Sequence, residues 1–274
     1  MEKFVDEKNN ISIQAESIKI HPNVSFGKNI QVSLRGSFEI GQYSRLGGNA
    51  VIKGNSVRIG KHFYNSSGLN IGGGGFQHPD AHFTIGDRCT IHNNFINVCE
   101  PVHIGDDVGL SPDTSILTHG YWLSVLEGYP RLSSGVKIGN GVIVGYRSLI
   151  MMGVSIADNC VVGAGSTVTK TLSRKGIYAG VPAKFIREID IPNPEQKLAL
   201  MEDMLKEYAA MAKYHGINPK VEMQYPFIRV NEFRINVETF DYEGSEDAET
   251  DDFRDFIRKW GIRIYTPRQF KSVF

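Results

Sequence analysis

Apolar residues recur every sixth position through 136–170: Ile138, Val144, Ile150, Ile156, Val162 and Val168. Gly139, Gly145, Ala157 and Gly163 each follow one of these anchors directly, and mostly small residues (Val142, Ser148, Val154, Cys160, Ser166) stand four places after an anchor. A helix repeats its apolar face near 3.6 residues and a strand near 2, so a sustained period of six belongs to neither. It predicts a solenoid whose short strands turn a corner after each hexapeptide. The branched residue faces the core, where β-branched side chains suit a strand, and the small residue after it is read as easing the bend.

Upstream the same pattern is interrupted. Repeats are expected from about Ile18, with 1–17 a lead-in or capping strand. Ile40, Leu46 and Ile52 keep the period, Ile59 comes one residue late, and the register breaks at Gly72, Gly73, Gly74 and Gly75, so 76–83 is expected to loop out. The repeat resumes at Ile85 and Ile91, slips near Asn97 and runs on through Ile104, Leu110 and Ile116. The next clean anchor is Ile138, so about sixteen residues are extruded between Thr118 and Val136. Insertions in solenoids map to loops, often on the binding face. This one carries His119, Tyr121, Trp122, Tyr129 and Arg131, which suit either stacking on a sugar ring or packing on a neighbouring subunit.

After Lys170 the pattern changes. Pro192 and Pro194 mark a boundary. Leu198, Met201, Leu205, Tyr208 and Met211 predict a helix over Pro194–His215, ended by Gly216. Alternation through 227–240 predicts strands, 244–252 reads as an exposed acidic stretch, Phe253, Phe256, Ile257 and Trp260 fit a helix face, and 262–265 reads as a final strand. The expected organisation is a mainly β chain: a solenoid domain over 1–189 with a loop insertion at 118–136, and a helical, α+β appendage over 190–274.

Composition narrows the function. Thirty basic and thirty acidic residues balance among 274, which argues against a dominant nucleic-acid footprint but leaves room for a local basic patch for a phosphorylated ligand. Three cysteines without a CxxC pair suggest neither a disulfide framework nor a cysteine zinc site. No apolar run is long enough for a transmembrane helix, and the first ten residues lack a signal-peptide core; a cytoplasmic protein is expected.

The motifs Val136-Lys137-Ile138-Gly139-Asn140, Gly163-Ala164-Gly165-Ser166, Val168-Thr169-Lys170 and Ala179-Gly180-Val181-Pro182-Ala183-Lys184 resemble those of the hexapeptide-repeat acetyltransferases, close in pattern to maltose and galactoside O-acetyltransferases. Ile104-Gly105-Asp106-Asp107 and Leu117-Thr118-His119 extend the likeness, which is good over 93–189. The resemblance implies a left-handed parallel β-helix, a homotrimer, acetyl-CoA as co-substrate, active sites between subunits and no metal. It makes His119 the general base, a backbone N–H near Gly145 and Tyr146 the oxyanion donor, and Ala164, Thr169, Lys170, Lys184 and Arg187 the acetyl-CoA contacts. Asn94, with Asn93 beside it, lies near the family's acceptor-binding asparagine; Tyr121, Trp122 and Arg131 are the loop's candidates for the acceptor.

The chemistry is consistent with these assignments. Attack of a hydroxyl on a thioester needs a base, and a histidine of ordinary pKa, about 6.5, suits neutral pH. The chain is expected to be an O-acetyltransferase acting on a hydroxyl of a sugar or bacterial surface polysaccharide. The alternatives are an N-acetyltransferase for a nucleotide-linked amino sugar, a γ-type carbonic anhydrase with zinc shared between subunits, and a non-enzymatic scaffold.

Overall fold

The computed structural model describes residues 1–268. The chain divides into two compact units, Met1–Ile189 and Asp190–Phe274. The first is a left-handed parallel β-helix of triangular section, each turn laying one short strand on each of three sheets. The first sheet holds the parallel strands from Ile11–Ala15 to Thr167–Val168, the second those from Ser17–Ile20 to Ser155–Ile156, and the third those from Ser25–Phe26 to Gly176–Ala179. An antiparallel strand closes each end: Glu2–Asp6 on Ile11–Ala15, and Lys184–Arg187 on Gly176–Ala179.

The period of six is one strand per face. Ile104, Ile138 and Ile156 stand in register on the second sheet, Leu110, Val144 and Val162 on the third, and Ile116, Ile150 and Val168 on the first. All nine are buried. Each branched side chain therefore packs on its equivalents in the coils on either side, and burying one stabilises the fold by about 1.5–3 kcal/mol.

The glycine after the anchor has a different cause from the one expected. Gly60, Gly86 and Gly105 are not in the left-handed region. A Cβ on Gly60 would lie 2.5 Å from the carbonyl of Gly86, and one on Gly86 would lie 2.8 Å from that of Gly105. Close approach of successive coils excludes the side chain. The left-handed residue comes three places after the anchor: His62, Arg88, Asp107, Gly141 and Asn159, with φ of 53–63°. Asparagine, aspartate and glycine tolerate that region best. Between the two positions an Asx ladder satisfies the corner amides: the N–H of Asp87 donates to Asp106 (2.8 Å), that of Asp106 to Asn140 (2.8 Å), and that of Asn140 to Asp158 (2.7 Å).

The first coil starts earlier than the repeat suggests. Ile11, Ile13 and Ala15 are already core; they alternate along a five-residue strand, so they carry a period of two rather than six. The first excursion spans 73–81, because His82 and Phe83 belong to a second-sheet strand. The second spans 119–135. Both leave the solenoid between a first-sheet and a second-sheet strand, at the same edge of the prism.

In the second unit the helix Pro194–His215 is capped by Asn193 and Gln196 and ends at Gly216, with φ of 71°. An antiparallel sheet, Val221–Gln224, Phe227–Val230, Phe233–Asn236 and Tyr242–Glu243, follows. The acidic stretch is exposed in its first part, at Gly244, Ser245 and Asp247, but not in its last. The helix Ala248–Ile257 begins within it, and Asp251 and Asp252 are buried, because Arg254 and Arg268 reach Asp251 and His215 lies 2.6 Å from Asp252. No strand forms over 262–265; Ile264 enters the core, and its carbonyl accepts from Arg254 (2.9 Å). Among the described residues no helix is long and apolar enough to cross a membrane.

Candidate functional site

The edge between the first and second sheets carries both excursions, and His119 stands at the foot of the second. The excursion closes on itself there: His119 and Gly120 pair antiparallel with Ser133 and Leu132, and the N–H of Ser134 donates to the carbonyl of Thr118 (2.9 Å). Glu100 braces this foot, accepting from the Ser133 hydroxyl (2.6 Å) while its own N–H donates to Thr118 Oγ1 (3.2 Å). Beyond it the chain turns outward, leaving Trp122 and Leu126 almost wholly exposed (95% and 94%). A hairpin foot fixes the histidine, and a projecting tip remains free to meet a partner or ligand.

The imidazole is held on one side. His119 Nδ1 lies 2.8 Å from Asn97 Oδ1, which also accepts from the Thr118 hydroxyl (2.5 Å). Asn97 Nδ2 donates to the carbonyls of Gly72 (2.9 Å) and Gly74 (2.8 Å). Two carbonyls can only accept, so they assign the amide group of Asn97 and turn its oxygen toward the histidine. In the neutral imidazole Nδ1 then carries the hydrogen and Nε2 keeps its lone pair, the form that accepts a proton. Asn97 is 1% exposed, so this network is shielded from water. The Tyr121 ring packs against the imidazole with centroids 4.7 Å apart, and the Arg131 guanidinium lies 6.0 Å over Tyr121.

Sequence reasoning missed Asn97, which looked like a slip in the register, and preferred Asn94. The structure reverses the two. Asn94 is fully buried; its oxygen accepts from the N–H of His92 (2.7 Å), and its amide donates to the carbonyls of Ser111 (2.9 Å) and Thr114 (3.1 Å). Every polar atom of Asn94 is spent on turning a corner, and it presents nothing to an acceptor.

Gly145 is likewise committed. Its N–H donates to the carbonyl of Val162 (2.8 Å), and a Cβ there would lie 2.5 Å from the nitrogen of Ala164. It lets coils stack and cannot also supply an oxyanion donor. Tyr146 follows it at the edge between the third and first sheets, partly exposed, with Arg147 5.0 Å over its ring. Hydrogen bonds from Tyr146, Asn93 and Arg147 hold the nearby Asp113 carboxyl below the usual carboxylate range.

Within one chain the candidates therefore divide between two edges. His119, Tyr121, Trp122, Arg131, Thr169 and Lys170 belong to the edge between the first and second sheets. Gly145, Tyr146 and Ala164 belong to the edge between the third and first, and Lys184 and Arg187 lie on the last strand of the third sheet. Ala164, Thr169, Lys170, Lys184 and Arg187 are exposed, as are Tyr121, Trp122, Arg131 and Tyr146.

Residues 135–170 match the family described as the hexapeptide repeat of succinyl-transferase. Galactoside O-acetyltransferase of Escherichia coli K12 is 33% identical over 129 residues, covering 44% of this chain and 64% of that protein. The chain thus spans slightly less than two-thirds of that relative. Chloramphenicol acetyltransferase of Morganella morganii is 29% identical over 149 residues, 50% of this chain and 70% of that one. Among solved structures, the polySia-specific acetyltransferase NeuO is 22% identical and covers 72% of this chain and 93% of its own, with a TM-score of 0.46.

Proposed function

We propose that this chain, whose solenoid belongs to the hexapeptide-repeat acetyltransferase family, transfers an acetyl group from acetyl-CoA to a hydroxyl of a sugar or surface polysaccharide precursor. The observation that carries the reading is the contact of His119 Nδ1 with Asn97 Oδ1, itself held by the Thr118 hydroxyl, which assigns the hydrogen to Nδ1 and the lone pair to Nε2. Nε2 takes the proton of the acceptor hydroxyl as its oxygen attacks the thioester carbonyl. The tetrahedral intermediate then expels CoA thiolate, which recovers the proton from the imidazolium. A positioned base supplies about 10²–10⁴ in rate, or roughly 3–5 kcal/mol.

The remaining roles are shared between copies of the chain. Thr169, Lys170, Ala164, Lys184 and Arg187 are assigned to acetyl-CoA, the cations to its phosphates. The N–H of Tyr146, rather than that of Gly145, is assigned to the developing oxyanion. Because Tyr146 and His119 stand on different edges, the assigned site needs a second copy, and we take the ring that repeats this contact to be the homotrimer that the family resemblance implies. The outer faces support this. The outward column of the third sheet starts polar, with Ser25 and Arg45, and turns apolar toward its end, at Ile143, Val161 and Ile177, whereas Lys19, Glu39, Arg58, Thr84, His103 and Lys137 make a largely charged column along the second. Apolar area is what an obligate interface buries.

The test is thiol release from acetyl-CoA with sugar and amino-sugar acceptors. His119→Ala is expected to lower turnover at least a hundredfold, and a loss below tenfold would sink the mechanism. Turnover confined to amine acceptors would assign the chain to N-acetylation instead.

A further inference from the structure

The glycine run at 72–75 ends a first-sheet strand and opens the first excursion. Three of its members have a local reason to be glycine. Gly72, Gly73 and Gly75 lie at positive φ (142°, 77° and 80°), and a Cβ on Gly75 would fall 2.4 Å from Cys99 Sγ. Gly74 has neither constraint. Its φ is outside the left-handed region, and the atoms a Cβ would meet are Cε1 and Nε2 of His119, each at 3.2 Å. A side chain at 74 would thus occupy the space beside the nitrogen that must receive the acceptor's proton. The carbonyl of the same residue accepts from Asn97 Nδ2 (2.8 Å), while Asn97 Oδ1 faces His119 Nδ1 (2.8 Å).

We infer that the 72–75 turn is the wall of the acceptor-hydroxyl site, that Gly74 determines how bulky a hydroxyl-bearing carbon can reach His119, and that Asn97 is the positioning residue joining wall and base. The inference rests on the proposed acetyl transfer for the identity of the base. Its geometry, however, can be tested without turnover. The turn and the base sit on excursions of two different coils, and Asn97, on the coil between them, is the side chain bonded to both. An isolated imidazole favours hydrogen on Nε2, so the opposite tautomer at His119 is a signature of Asn97 and not a default. Replacing Asn97 by aspartate keeps an oxygen for Nδ1–H and the Thr118 hydroxyl but removes both donors to the turn, which separates the two tasks.

The experiment uses the full-length protein labelled with ¹⁵N-histidine, with tautomers read from long-range ¹H–¹⁵N correlations at a pH where His119 is neutral and its signal assigned by loss in His119→Ala. Accessibility of Nε2 is read from the rate of carbethoxylation of His119 by diethyl pyrocarbonate, with peptide mapping. Wild type is expected to show Nδ1–H. Asn97→Ala should show predominantly Nε2–H, and Asn97→Asp should restore Nδ1–H while carbethoxylation quickens at least threefold as the turn loosens. Gly74→Ala should keep the wild-type tautomer and melting temperature but slow carbethoxylation at His119 at least fivefold, with His21 modified as before. On a secondary-hydroxyl acceptor it should lose more kcat/KM than on a primary one, with the KM for acetyl-CoA unchanged. An Nε2–H tautomer in wild type overturns the positioning role, and an unchanged carbethoxylation rate in Gly74→Ala overturns the wall. Should Asn97→Ala fail to fold, wild type and Gly74→Ala still decide both points. Full turnover in His119→Ala, with tautomer and accessibility as expected, would refute the acetyl-transfer reading and with it the substrate role of the wall.

Discussion

Asn94→Ala separates a corner residue from a binding residue, and the structure sets its size. The side chain is 0% exposed and serves three backbone groups: the N–H of His92 and the carbonyls of Ser111 and Thr114. Alanine leaves the N–H of His92 and the carbonyl of Thr114 without a partner, and the carbonyl of Ser111 with only the long bond from the Thr114 N–H (3.4 Å). Each buried polar group so stranded costs about 1–3 kcal/mol. Local relaxation and entry of a water recover part of this, so the expected loss is about 3–5 kcal/mol. For a chain of this size each kcal/mol moves the melting temperature by roughly 2–4 °C, which predicts a fall of about 10 °C. The assay is urea unfolding followed by far-UV circular dichroism, with midpoints compared at one protein concentration because association contributes to stability by mass action. The acceptor KM of the folded mutant should match wild type. A loss under about 1 kcal/mol together with a tenfold rise in acceptor KM would refute the corner assignment and return Asn94 to the binding site.

Gly86→Ala should cost about 1–3 kcal/mol by overpacking, since its Cβ would meet Asp106 Oδ1 at 2.1 Å and the carbonyl carbon of Gly105 at 2.8 Å; a neutral effect on the urea midpoint would show that coil contact is not what selects glycine. The Cys89 thiol is pushed up to about 12 by burial, and all three cysteines are buried, so iodoacetamide at pH 8 should label Cys89 only after denaturation; rapid native labelling there would contradict the packing. At Asp247 burial pushes the carboxyl up, but hydrogen bonds from Thr250 and Asn231 outweigh it and hold it below its ordinary value. A depressed carboxyl stabilises fully above its unfolded pKa of about 3.9 and loses that contribution as pH falls through the folded value. Asp247→Ala should therefore remove about 0.5–2 kcal/mol near pH 7 and less below pH 4, read from Trp260 fluorescence in a Trp122→Phe background; an equal loss at both pH values would exclude the charge.

The solenoid was legible because its physics is periodic. One buried branched residue per face must recur every sixth position, so Ile138 to Val168 announced the coil, the faces and the length of the second excursion. Stretches with a competing period were harder to read. Ile11, Ile13 and Ala15 look like an ordinary strand, and the first coil hid behind them. In the second unit, charge misled. Glu246, Asp251 and Asp252 read as solvated, but Arg254, Arg268 and His215 come to them from 3 to 37 residues away, and such pairing leaves no trace in local composition.

The site was half legible for a related reason. His119 stands where an anchor run ends and a loop departs, which a count along the chain detects. Asn97 obeys the same logic, but through its neighbours. Ile71, Ile96 and Ile116 are successive first-sheet anchors, and chain leaves the solenoid within a few residues of the first and the third. The residue after the middle anchor must therefore lie between the two excursions, whatever its identity. A buried polar amide is favourable there because each excursion brings groups for it to bond: the carbonyls of Gly72 and Gly74 from one, and the Thr118 hydroxyl and His119 imidazole from the other. An apolar side chain at 97 would strand the Gly74 carbonyl and the His119 Nδ1–H at about 1–3 kcal/mol each, while the Gly72 carbonyl keeps the Val98 N–H and Thr118 Oγ1 keeps the Glu100 N–H. Function in such a fold is readable wherever two interruptions share one phase of the repeat, and the amino acid between them reports what the interruptions have brought together.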